Sequence, residues 1–224
     1  MNDGRGAAQV GCAAGAAGGY AESAMTSADH TSAPDRVADS DAAAVQRQLG
    51  RPPRGLRAVA HRCPCGLPDV VRTAPRLEDG TPFPTLYYLT CPRAASAIGT
   101  LEAGGLMRRM QERLAEDPEL GAAYERAHRD YLEERAEQTR RDASAPLPEG
   151  MQSAGGMPER VKCLHALVAH ELARPGANPL GGEALDSLPE WWAEGPCVCA
   201  GRDGGGSAAG DPHSADDDTE GTTR

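Results

Sequence analysis

Long apolar side chains are scarce in this 224-residue chain: leucine, isoleucine, valine and phenylalanine together number 29, with one isoleucine and one phenylalanine. That share, about 13%, is below the roughly 20% at which a charged chain reads as disordered. The scarcity is not uniform. Residues 1–44 hold only Val10 and Val37 from this set and residues 200–224 hold none, so the other 27 fall between Val45 and Val198. One domain over 45–199 is what can fold, flanked by tails at 1–44 and 200–224 expected to be disordered.

No run of 18 apolar residues is present to span a bilayer, and the start MNDGRGAAQVGCAAGAAGGY has neither a basic leader nor a leucine-rich stretch. The expected location is cytoplasmic. Basic excess is missing too. Each tail has six acids against two arginines, a net charge of −4; removing −8 from the chain's −10 leaves −2 for the domain. Nucleic acid is therefore a disfavoured partner. Lysine is nearly absent, with Lys162 alone beside 22 arginines. An ammonium is a compact point charge where a guanidinium is a planar fork, which draws attention to Lys162.

The rest of the chain alternates between strand and helix signals. Leu56–His61, DVVRTA at 69–74 and TLYYLT at 85–90 have strand composition, and PRLEDGTPFP between the last two predicts a long connection within an antiparallel pair. Pro92 can open a helix that Gly104-Gly105 interrupts. Leu106, Met110 and Leu114 recur every four residues, and Asp117-Pro118 reads as a cap and first turn for a helix through Arg141. PERVKCLHALVAHELA, 158–173, predicts a central helix with two apolar sides. The expected fold is α+β, a small antiparallel sheet of about three strands on a layer of four to five helices.

Six of the seven cysteines fall in the domain, and without a secretory signal reduced thiols or metal ligands are expected rather than disulfides. Cys63, Cys65, Cys91 and Cys163 form one candidate ligand set for zinc, which favours thiolate and imidazole. Buried inert thiols are the alternative. Both CPC and CVC have one residue between cysteines where zinc motifs usually have two to four. Cys163 and His165 would point about 160° apart on a regular helix and could meet only if its first turn were unwound. Lys162 and His165, three apart on that helix, could hold an anion with Arg160 at the helix start, unless they are an edge lysine and a core histidine. Catalytic candidates are Cys91, His165 and Lys162, with Cys91 at a helix N-terminus that would lower its thiol and His128, Glu102 or His165 as its partner.

The phrases RCPCGLPDVV, PFPTLYYLTCP, LEAGGLM and MPERVKCLHALVAH, followed by NPLG, resemble in order and spacing the bacterial family named domain of unknown function 501, over about His61–Gly182. The resemblance implies a small cytoplasmic protein, common in actinobacteria, without established activity. The resemblance also carries a gene association, family genes often lying near that of a septum-formation initiator protein, and with it the expectation of a division-associated protein partner. Two further readings therefore stand beside a ligand- or metal-binding domain: an enzyme using Cys91 or His165 on a small anionic substrate, phosphorylated ones included, and an adaptor for division or envelope proteins.

Overall fold

The computed structural model describes residues 37–148, 150 and 153–198; most of both expected tails, 1–36 and 200–224, lies outside the described residues. Six helices and three strands make an α+β fold, one helix more than the expected four to five. The additional one is α1 (Asp39–Leu49), which begins inside the segment assigned to the N-terminal tail. It buries Ala44 and Val45, and Gln48 donates from Nε2 to the Pro68 carbonyl at 2.6 Å. Small alanines pack closely, so a helix poor in large apolar residues still finds a seat.

Strands β1 (Leu56–Arg62), β2 (Pro68–Thr73) and β3 (Tyr87–Leu89) form one antiparallel sheet in that order. The β2–β3 connection is long, as expected, and carries an isolated bridge between Arg76 and Pro82. Helix α2 (Pro92–Ala103) stops at Gly104, and the left-handed Gly105 (φ 77°) redirects the chain into α3 (Leu106–Glu116). Asp117 caps α4 (Pro118–Arg141), its carboxylate accepting the N–H groups of Glu119 and Leu120.

Helix α5 (Leu164–Ala173) is central, touching all three strands, α2 and α6 (Pro179–Asp186). Leu164, Leu167, Val168 and Ala169 are fully buried, together with Tyr87, Tyr124, Tyr131, Ile98 and Met110. Tyrosine and methionine thus fill a core that is poor in branched aliphatics. His170 belongs to this core. It stacks on Tyr87, meets Tyr131 edge-on, faces Asp130 Oδ1 through Nε2 at 2.9 Å and Asn178 Nδ2 through Nδ1 at 3.3 Å. A ring nitrogen facing an amide N–H must accept, so His170 is neutral and donates to Asp130. No described helix is long and apolar enough to cross a membrane.

Candidate functional site

The site begins where the predicted 158–173 helix fails to start on time. Arg160 N–H goes to the Gly156 carbonyl and Lys162 N–H to the Gly155 carbonyl, both at 2.8 Å, while Gln111 Oε1 takes Val161 N–H at 2.9 Å. Tyr124 donates to the Arg160 carbonyl at 3.0 Å. Gly156 (φ 95°) makes this turn possible, since a Cβ there would lie 2.5 Å from the Arg160 oxygen. With these amides spent, Cys163 stays extended (φ −155°, ψ 106°) as the N-cap residue and α5 begins at Leu164.

Two consequences follow. Lys162 and Arg160 precede the helix and are exposed, so the proposed helical pairing of Lys162 with His165 does not exist. The unwound turn also lets Cys163 and His165 converge. Glu102, near the end of α2, completes the group: its Oε1 accepts Leu164 N–H at 2.8 Å and lies 3.3 Å from His165 Nδ1. Donor atoms of Glu102, Cys163 and His165 all lie within 4.8 Å of one another, and among the described residues this is the group that could hold a metal ion. The helix start expected to hold an anion thus has the Glu102 carboxylate on its Leu164 N–H.

His165 is oriented from behind. Its Nε2 lies 3.1 Å from the Ala95 carbonyl, which can only accept, so Nε2 carries a hydrogen and Nδ1 faces Cys163 and Glu102. The hydrogen bond that His165 donates to Cys163 and the Glu102 charge outweigh burial and push the imidazole up to about 9. The same bond to His165, helped by Ala166 N–H, holds the Cys163 thiol below its ordinary range. The two shifts share one cause, the contact between the imidazole and the thiol. All three side chains remain half-buried and reachable from solvent.

The other candidate thiols lie elsewhere. Cys63, Cys91 and Trp191 form a separate buried cluster, against which Cys65 and Cys197 pack. Cys91, as N-cap of α2, is about 16 Å of helix rise from Glu102. The expected four-cysteine set therefore divides, with Cys163 at one site and Cys63, Cys65 and Cys91 at another.

Cys91 does not have the low-pKa thiol that its helix-start position suggested. It hydrogen-bonds Cys197 and is fully buried, both of which raise it strongly and outweigh the Ala94 and Arg93 amides. Cys197 gains what Cys91 loses: bonded by Cys91 and by Gln48 Nε2 at 3.3 Å, it falls to about 6. Burial pushes Cys63 up to about 12. Neither Glu102 nor His165 partners Cys91; both face Cys163 instead. His128, on α4, has its Nδ1 buried without a partner and is held below its ordinary value by burial.

Comparison with known proteins adds one match. Residues 59–186 match the family described as Protein of unknown function (DUF501), which takes in α2, α5 and hence Glu102, Cys163 and His165. No curated protein and no solved structure matches the chain. Since the matched segment is more than half of the 224 residues, the chain belongs to the DUF501 family of proteins of unknown function.

Proposed function

We propose that this protein binds a divalent transition-metal ion, of the class that accepts mixed sulfur, nitrogen and oxygen ligands and with zinc foremost, through Cys163, His165 and Glu102. The observation carrying this reading is the convergence of three chemically different donors within 4.8 Å at the start of α5. Glu102 and Cys163 bind metal as anions, and a dication would compensate that charge. The Ala95 carbonyl on His165 Nε2 also fits, because metal-binding imidazoles usually donate their outer N–H to a carbonyl or carboxylate. Three protein ligands are the number found in catalytic rather than structural zinc sites, which leave a position for water or substrate. Half-buried donors suit such exchange.

A second reading is favoured by the lowered thiol of Cys163, which its His165 partner and the Ala166 N–H would make a nucleophile in the absence of metal. It replaces Cys91 by Cys163 in the enzyme hypothesis. Cobalt(II) titration separates the two. The metal reading expects one equivalent of cobalt with a thiolate-to-metal charge-transfer band, abolished in Cys163→Ser and His165→Ala and kept in Cys91→Ser. Absence of the band, or its persistence in Cys163→Ser, overturns the metal reading.

A further inference from the structure

The thiols around Cys91 carry chemistry that the metal reading does not use. Cys91, the N-cap of α2, is fully buried with Cys63, Ala94 and Trp191, and Cys197 packs against this cluster from the segment after α6. The Cys91 and Cys197 sulfurs hydrogen-bond each other, and both thiols are free. Cys63 has Cys65 as its own hydrogen-bond partner, so Cys91 is the thiol that faces Cys197. A disulfide forms without large backbone movement only between sulfurs that already meet.

Three sets of contacts hold the pair together. Gln48 Nε2 donates to the Cys197 sulfur at 3.3 Å and to the Pro68 carbonyl at 2.6 Å, which ties residue 197 to α1 and β2. Arg93 Nη1, in the first turn of α2, donates to the Gly195 carbonyl at 2.8 Å. Trp191 and Trp192 meet edge-on just upstream and pack on the same cluster.

Exposure gives the two sulfurs different roles. Cys197 is half-buried, and the Cys91 bond, the Gln48 amide and the Arg93 charge favour its thiolate, the form that peroxides oxidise. Cys91 is sealed from solvent, so a peroxide meets Cys197 first. We propose that Cys197 is a site of oxidation by hydrogen peroxide and that Cys91 is its resolving thiol, the product being a Cys91–Cys197 disulfide. In the first step the Cys197 sulfur attacks one peroxide oxygen, the O–O bond breaks, and the departing hydroxide takes the proton that the Cys197 thiol gave up, leaving as water and a sulfenic acid. In the second the Cys91 sulfur attacks the Cys197 sulfur, the S–O bond breaks, and the hydroxyl leaves with the Cys91 proton as a second water. Two thiols lose two electrons and one peroxide gains them.

The test treats the reduced, native full chain with equimolar hydrogen peroxide, blocks the remaining thiols with iodoacetamide and maps the products by peptide mass. Trypsin with a glutamate-specific protease puts Cys197 and Cys199 on residues 195–202, apart from Cys163, and fragmentation tells the two apart. The expected product is a Cys91–Cys197 link, formed in the unsubstituted chain and kept in Cys163→Ser and Cys199→Ser. In Cys91→Ser the sulfenic acid has no resolving thiol, so dimedone, which traps sulfenic acids, should label Cys197 at least roughly fivefold more than in the unsubstituted chain. Absence of the Cys91–Cys197 link in the unsubstituted chain, a Cys197–Cys199 link in its place, or no gain of dimedone at Cys197 in Cys91→Ser overturns the proposal.

Discussion

The Glu102 carboxylate accepts the backbone N–H of Leu164 at 2.8 Å, so the end of α2 caps the start of α5 while aiming the same carboxylate at His165. One residue therefore serves both fold and site. Glu102→Gln keeps an oxygen for Leu164 and removes the charge; it should stay within about 1 kcal/mol of wild-type stability while losing metal affinity. Glu102→Ala should lose both, with about 1–2 kcal/mol of destabilisation on the scale of a deleted helix cap. Urea denaturation and metal titration of the two variants check this. Wild-type metal affinity in Glu102→Gln would remove the carboxylate from the ligand set.

Thiol chemistry should sort the cysteines by environment. In metal-free native protein, brief iodoacetamide treatment should label Cys163 and Cys197 before Cys63 and Cys91, since the first two are lowered and half-buried and the last two raised and buried. Zinc should then protect Cys163 and leave Cys197 reactive. Peptide mass mapping reads both results, and fast labelling of Cys91 would contradict the arrangement.

The buried His170 predicts an acid sensitivity. Burial holds its imidazole below the ordinary value despite the pull of Asp130. An unfolded histidine takes its proton near pH 6.5, the folded one at lower pH, so between those values the unfolded chain binds more protons. This group's contribution is full above about pH 6.5 and falls as pH drops toward the folded value. Imidazole NMR titration should place the His170 midpoint below 6.5; a midpoint at or above it would refute the neutral assignment.

Two glycines should respond in opposite directions to alanine. A Cβ on Gly181 would lie 2.3 Å from the Leu167 carbonyl oxygen, where α6 crosses α5, so Gly181→Ala should destabilise by about 3 kcal/mol. Gly121, inside α4, has nothing within 4 Å of that position, so Gly121→Ala should stabilise by about 0.5–1 kcal/mol through helix propensity. Chemical denaturation of both gives the answer, and equal signs would show that packing at the α5–α6 crossing is misassigned.

Local chemistry explains why much of the fold could be read in advance. Asp117-Pro118 names its own helix start, Gly104-Gly105 its own break, and DVVRTA and TLYYLT their own strands. Asn178-Pro179 starts α6 with the same cap-and-proline chemistry, Asn178 Oδ1 accepting Gly181 N–H, although the sequence reading gives that helix no start. The start of α5 was not legible, because its amides are claimed by Gln111 and Glu102, residues 50 and 62 positions away. Nor could spacing show that Glu102 belongs with Cys163 or that Cys197 meets Cys91. The condition set by helix geometry, an unwound first turn before Cys163 and His165 can meet, was nevertheless readable, and the structure satisfies it.

Zinc stoichiometry and affinity, measured on the purified full chain against a competing chelator, test the central claim most directly. The account predicts one ion per chain, affinity reduced at least roughly tenfold in Cys163→Ser and unchanged in Cys91→Ser. A wild-type chain that binds no zinc, or a Cys163→Ser chain that binds it equally well, would contradict it.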